Sequence, residues 1–411
     1  MKYAVVTFGC RVNQADSLAI EGQLLARGGV PVSAEQADVV VVNTCSVTAT
    51  ADQGARQTIR RVVRDNPAVR VIVTGCYASR APEDLAGLSN VTRVIPNSQK
   101  NELVDAVADE MWTGSGKFVD GDGPCGGGSL APGTGGRTAF TLRVQTGCDE
   151  DCSYCIIPTT RGRGRSKPLD EVAADVQRAA AAGYREIVLT GVHLGSYGRD
   201  FDEPSSLVRL LRRLVERPDD VLFRVSSLEP MDCTPELVAL AASSSKIAPH
   251  FHLPLQHGAD TMLRAMKRPY TASYYRTLVE QIARVMPNAS IGSDVIVGFP
   301  GESDEDFDQG LSVLRDLPLS HLHVFPYSDR PGTAASGLHP KVNGAVIRER
   351  GRRVRELGAE MTRRFRNAQQ GTTRRALVVD DGWSAVTDNY VKVRLDEQRE
   401  RNTWVSVTLP H

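Results

Sequence analysis

The 411-residue chain has no surplus of either charge: 49 Lys and Arg stand against 49 Asp and Glu. A uniformly basic wrapper of nucleic acid is thereby excluded, although a local basic surface is not. Also missing is any apolar run near the ~18 residues that cross a bilayer, and the stretch from Met1 to Val6 is too short for the apolar region of a signal peptide. A cytoplasmic location with no membrane partner is the expectation. Eight cysteines in 411 residues do not make a disulfide framework in a reducing compartment, so metal binding or catalysis is their default reading. The rest is ordinary. A content of 41% hydrophobic and 24% charged residues suits a well-cored globular protein, and the length suggests two to four domains at ~100–200 residues each.

Alternation of short apolar runs with helical periodicity organises the chain. Lys2–Phe8, Ala37–Val42 and Val69–Val73 read as buried strands, each followed by a helix. They predict an α/β domain over residues 1–112, a small doubly wound parallel sheet. Residues 113–137 hold ten Gly in 25 positions and read as a linker. Over residues 138–368 strands are expected at Thr141–Val144, Glu186–Leu189, Val221–Val225, Phe251–Pro254, Ile291–Val297 and Leu322–Phe325. Six such βα units predict a (βα)6 partial barrel with its functional face at the C-terminal strand ends. Lys341–Arg375 reads as one helix with 11 Lys/Arg against three Asp/Glu. Residues 369–411 read as a small β module, with Trp383, Tyr390 and Trp404 as core residues.

The cysteines carry most of the information. Cys148, Cys152 and Cys155 form C-x3-C-x2-C directly after the strand Thr141–Val144. A zinc site wants a fourth ligand, and no His or further Cys lies nearby. Three thiolates on a four-iron cluster instead leave one iron open to a small molecule. Cys10, Cys45 and Cys76 lie far apart in sequence, yet each falls just past an expected strand. In a parallel sheet those ends share one edge, and neighbouring strands are ~4.8 Å apart, so the three thiols can converge on one centre. Cys125 and Cys233 have no partners at useful spacing and read as non-ligands.

These motifs resemble the radical S-adenosylmethionine methylthiotransferase family over essentially the whole chain. The segments that carry the resemblance are Thr7–Gln14, Asn43–Thr48, Thr74–Ala78, Gln145–Pro158, Asp294–Glu302 and Phe325–Thr333. Ser226–Pro230, Cys10–Gln14 and His323–Ser328 are most similar to the branch acting on N6-threonylcarbamoyladenosine in tRNA. Leu255-Gln256-His257-Gly258 departs from it: a His stands where the tRNA branches commonly have Ser, closer to the branch that modifies an aspartate of a ribosomal protein. The terminal module resembles a shortened TRAM domain.

The resemblance implies two [4Fe-4S] clusters, one on Cys10, Cys45 and Cys76 and one on the catalytic cysteines Cys148, Cys152 and Cys155. It implies two S-adenosylmethionine molecules, one donating methyl and one giving the radical that activates C2 of the adenine. Further implied partners are a tRNA carrying N6-threonylcarbamoyladenosine, an electron donor such as flavodoxin or ferredoxin, and a sulfur source. Contacts to S-adenosylmethionine are expected from Tyr154, Gly191, His193, Gln256 and Asp294, with His193 either in the pocket or a satisfied contact at its rim. The basic run holding Arg161, Arg163, Arg165 and Lys167 is expected on tRNA phosphates, as is the arginine-rich helix from Arg348 to Arg366. The alternatives are an isopentenyladenosine or ribosomal-protein substrate, or a non-catalytic RNA-binding iron–sulfur protein.

Overall fold

A computed structural model describes residues 1–111, 131–133 and 137–410. The expected linker lies almost wholly outside the described residues, as does Cys125. The chain forms two compact units. The first takes the segment up to Leu130 with Thr146–Glu150 and Cys155–Gly164, and the second takes Ala131–Gln145, Asp151–Tyr154 and Arg165–His411.

The first unit holds the strands β1 (Lys2–Thr7), β2 (Val30–Pro31), β3 (Val39–Thr44), β4 (Arg70–Gly75) and β5 (Val91–Ile95). They form one parallel sheet in the order β2-β1-β3-β4-β5. The run from Val39 to Val42 has no polar alternation because both faces are covered. Val40 and Val42 pack with Ile59 of helix Ala49–Asp65, whereas Val39 and Val41 pack with Leu24 of helix Arg11–Ala26 and with Leu103. Periodicity missed β2 and β5, the two edges. β2 has two exposed residues, and β5 carries exposed Thr92 and Arg93 in a register-shifted pairing.

The second unit carries β6 (Phe140–Arg143), β7 (Glu186–Thr190), β8 (Leu222–Val225), β9 (His250–His252), β10 (Ser290–Val297) and β11 (His321–Pro326). All pair in parallel, as the ladders β6-β7-β8 and β9-β10-β11. Single bridges at Phe223–Ile247 and Ser227–His252 join them, so six strands follow chain order as a partial barrel wall. The basic helix ends at Ala368, short of the expected Arg375. β12 (Thr373–Val379) then pairs with β13 (Ser384–Thr387) and β15 (Trp404–Thr408), with β14 (Lys392–Arg394) outermost, all antiparallel. Trp383 and Tyr390 are not core: they are 39% and 43% exposed.

The turn Asp388–Tyr390 of this terminal sheet seats against the starts of the barrel strands. Asn389 Nδ2 donates to the Asn288 carbonyl at 2.8 Å, and the Tyr390 ring lies 4.7 Å from that of His250. Beneath them Arg224, 1% exposed, forks onto Glu186 at 2.9 and 3.0 Å and donates to the Asp388 carbonyl at 3.0 Å. Removing one partner of a buried pair strands the other charge. Arg224→Ala is expected to cost roughly 3–5 kcal/mol in urea unfolding. The double variant Arg224→Met/Glu186→Leu should recover most of that loss.

Candidate functional site

The sheet order brings three of the cysteines to one edge. Cys10 precedes the helix after β1, Cys45 follows β3, and Cys76 opens the short helix Cys76–Arg80 after β4. β1, β3 and β4 are adjacent, and the chain winds in opposite directions on either side of the β1–β3 gap, the usual ligand position in such sheets. Gly9 allows the approach: a Cβ there would lie 2.5 Å from Cys45 Sγ. Gly75 sits at φ 99°, the left-handed region, with its vacant Cβ position against the Thr44 backbone. Burial pushes the Cys45 thiol up to about 12, and the neighbouring Cys10 and Cys76 add to the rise.

Beside these sulfurs lies a buried charge cluster that sequence reasoning misplaced. Arg161 was expected on tRNA phosphate, but its side chain is 2% exposed. It donates to Asn13 Oδ1 at 2.5 Å and Asp16 Oδ2 at 3.0 Å. Lys100 Nζ reaches the same Asp16 oxygen at 2.8 Å. Burial opposes the Arg161 charge, yet Asp16 and the sulfurs of Cys76 and Cys10 outweigh it and raise its pKa. Lys167 is likewise withdrawn into an ion pair with buried Asp175. Arg163 and Arg165 are exposed as expected, Arg163 at 3.1 Å from Asp149.

The C-x3-C-x2-C loop is divided, with Cys148 and Cys155 in the first unit and Cys152 in the second. Cys148 Sγ accepts from the Glu150 amide at 3.4 Å. Cys152 Sγ accepts from Arg268 Nη1 at 2.9 Å, and Arg268 also pairs with Glu229. Burial raises the Glu229 pKa against the pull of Arg268. Sequence reasoning missed both residues, because nothing local links positions 229 and 268 to a cysteine at 152. Ser153 Oγ donates to the Ala265 carbonyl at 2.8 Å, and Tyr154 packs against the buried cluster that includes Met262, Met266, Ile296 and Phe299.

Gly191 and His193 follow β7, where His193 is buried. Its amide donates to Gln145 Oε1 at 2.9 Å and its Nε2 lies 2.7 Å from Asp232 Oδ2. Burial works against ionisation of Asp232, but His193 and Arg199 hold its carboxyl below the usual range. Gln256 adopts φ 69° and its backbone bridges to β10. Asp294 on β10 accepts from His252 Nε2 at 2.9 Å and His323 Nδ1 at 3.2 Å. These bonds outweigh burial and draw its carboxyl down to about 2. Among the described residues His252, Asp294 and His323 are the one trio of His, Cys, Asp or Glu whose ligand atoms all lie within 4.8 Å of one another. Burial, with the neighbouring His252 and His323, pushes the His321 imidazole down to about 4. His257 is buried against Gly310, accepts from the Ala259 amide at 3.0 Å and has its Nε2 3.5 Å from buried Glu302, so both ring nitrogens are engaged within the fold.

The arginine-rich helix is less open than its composition suggests. Arg350 is buried on Glu302 and Asp304, Arg352 pairs with Glu349 and Glu356, and Arg353 pairs with Asp308. Arg348, Arg355 and Arg363 are exposed.

Residues 2–95 match the family described as Uncharacterized protein family UPF0004, and residues 142–313 match the Radical SAM superfamily. The chain is 38% identical over 420 residues, spanning all of both chains, to the threonylcarbamoyladenosine tRNA methylthiotransferase MtaB of Aquifex aeolicus. Identity to the protein of that name from Bacillus subtilis is 34%, over 94% of this chain and 88% of the relative. A tRNA-2-methylthio-N(6)-dimethylallyladenosine synthase of Carboxydothermus hydrogenoformans is 34% identical over 86% and 82%. Among solved structures, the radical S-adenosylmethionine methyltransferase TsrM of Kitasatospora setae, with cobalamin and a [4Fe-4S] cluster bound, superposes with a TM-score of 0.59. It covers 82% of this chain and 76% of that chain at 16% identity, a likeness of fold.

The imidazole cluster sets a pH dependence. An unfolded His takes up a proton near pH ~6.5, whereas folded His321 refuses it until about 4. The unfolded state therefore binds more protons over that window, and stability falls as pH drops through it. Urea unfolding should show a loss of roughly 2–3 kcal/mol between pH ~6.5 and ~4, and His321→Gln should flatten that slope. The depressed Asp294 carboxyl acts lower down, between the ordinary carboxylate range and about 2.

Proposed function

Since this chain belongs to the methylthiotransferase family of radical S-adenosylmethionine enzymes, we propose that it adds a methylthio group to C2 of N6-threonylcarbamoyladenosine at position 37 of tRNA. The observation that carries the reading is the pairing of two three-cysteine sets, one at a parallel-sheet edge and one in a C-x3-C-x2-C loop. The full-length likeness to a relative named for this substrate supports it.

The donor sets fit [4Fe-4S] clusters. Each offers three thiols with no fourth Cys or His close in sequence, which would leave one iron open. Three thiolates on a dicationic cluster carry net charge −1. Arg161 and Lys100, which share the carboxylate Asp16, place positive charge near the Cys76 sulfur, and Arg161 also near that of Cys10. When bound, the clusters supply the electron that cleaves S-adenosylmethionine and carry the sulfur to be transferred.

The residues around them hold and orient. Arg268 fixes the Cys152 sulfur by a charged hydrogen bond, and Ser153 ties the loop to the segment after β9. Tyr154, Gly191 and Gln256 are assigned to the S-adenosylmethionine pocket. His193 and Asp294 are committed to Asp232 and to two imidazoles, so they position the pocket wall. Exposed Arg163 and Arg165 are assigned to tRNA phosphate. A low-potential donor such as flavodoxin or ferredoxin, a sulfur source and a cytoplasmic setting complete the proposal, with domains at 1–112, 138–368 and 369–411.

Mass spectrometry of tRNA nucleosides from cells with and without the gene tests the substrate. Loss of the 2-methylthio form, with the parent threonylcarbamoyladenosine accumulating, is expected. An unchanged profile would overturn the assignment. Cys148→Ala should abolish 5′-deoxyadenosine formation, whereas Cys45→Ala should spare it and block methylthio transfer. Full transfer by either variant would remove its cysteine from the ligand set. Arg163→Ala/Arg165→Ala should weaken tRNA binding and shrink the log–log salt slope by roughly 1.5.

A further inference from the structure

Half of the eight histidines gather on one face of the β9-β10-β11 ladder. Ring centroids of His252 and His323 are 5.1 Å apart, those of His321 and His323 5.4 Å, and those of His250 and His321 6.2 Å. Register explains the gathering. His252 pairs with Gly292 across β9 and β10, Gly292 with His321 and Asp294 with His323 across β10 and β11. Paired residues leave a sheet on the same side. Gly292 makes room, since a Cβ there would overlap the His321 ring.

The opposite face is closed by helix Gly344–Ala368, whose Gly358 meets Leu322. On the histidine face, two residues beyond Asp294, Ile296 belongs to the buried cluster against which Tyr154 of the cysteine loop packs. Two strand residues span ~6.6 Å, so the imidazoles stand on the barrel wall that faces the reaction loop. Exposure rises toward β11: the side chains of His252, Asp294 and His323 are 12%, 22% and 58% accessible.

We infer that this imidazole–carboxylate group, centred on His323, binds the threonine carboxylate of the threonylcarbamoyl arm, an inference that rests on the substrate proposed above. An ionised carboxylate only accepts hydrogen bonds, so His252 Nε2 and His323 Nδ1 carry the protons that Asp294 receives. Nε2 is then the second hydrogen-bonding atom of the His323 ring, whose side chain is 58% accessible. A carboxylate arriving there would accept from the exposed edge of the His323 ring, whose Nδ1 is already held by Asp294. An apolar dimethylallyl arm in the same place would strip water from two imidazoles and a carboxylate without replacing its hydrogen bonds. A site built to bond a polar group rejects the analogue that lacks it.

Two anticodon stem-loops test this on the holoenzyme: one with threonylcarbamoyladenosine at position 37, the other with its threonine carboxylate capped as the methyl ester. Fluorescence anisotropy should show the wild type preferring the free acid by roughly 10- to 100-fold, the worth of one charged hydrogen bond. His323→Phe should abolish the preference and His323→Gln should keep part of it, with iron content checking that each variant folds. A wild-type ratio retained by His323→Phe overturns the inference. So does a wild-type preference that disappears on adding EDTA, which would hand His252, Asp294 and His323 to a divalent cation. A wild type that binds the free-acid stem-loop but leaves it unmodified in single turnover sinks the proposed substrate. Normal modification with an unchanged ratio sinks only the role of His323.

Discussion

Asp16 is the fixed point of the first unit. A buried carboxylate must be paired, and Asp16 takes two cations, Lys100 and Arg161, from segments 84 and 145 residues away. That double claim holds helix Arg11–Ala26 and the stretch after the cysteine loop in one arrangement. Asp16 and the Cys76 and Cys10 sulfurs raise the Arg161 pKa against burial, whereas burial lowers that of Lys100. Burial raises the Cys45 thiol, and the neighbouring Cys10 and Cys76 add to that rise. The Arg161 guanidinium beside the Cys10 and Cys76 sulfurs attracts negative charge to that edge. Cluster assembly and the packing of the first unit thus draw on the same ion pairs.

In the second unit polar side chains play an analogous part around a different sulfur. Arg268 is shared by Cys152, Glu229 and Tyr270, a network with one cation and several acceptors. Hydrogen bonds to cluster sulfurs and local burial set reduction potential. Glu229, raised by burial, makes the charge near Cys152 sensitive to whether that carboxyl is ionised.

The strands and the cysteine sets were legible because their signals are local: four consecutive valines in β3, glycines ahead of two cysteines, C-x3-C-x2-C in eight residues. Arg161 and Lys167 were misread for the opposite reason. A basic run resembles a solvated surface until the distant carboxylates that bury it, Asp16 and Asp175, are placed in space. The basic helix was overextended because Arg374 and Arg375 continue its composition, although β12 begins at Thr373. The imidazole wall left a readable trace. His250-x-His252 and His321-x-His323 each repeat at the strand period of two, which places both histidines of a pair on one face. Only sheet order reveals that the two faces coincide.

The turn Asp388–Tyr390 closes the barrel at the end opposite the cysteine loop. Arg224, Asn288 and His250 all find partners in it. Barrel polar groups that a detachable accessory would leave to water are satisfied by the terminal sheet. A minimal enzyme cut after helix Gly344–Ala368 would therefore lose more than a handle for RNA. It would hand Arg224, Asn288 and His250 to water at the starts of the barrel strands, and any trimmed scaffold would need a substitute plug for them.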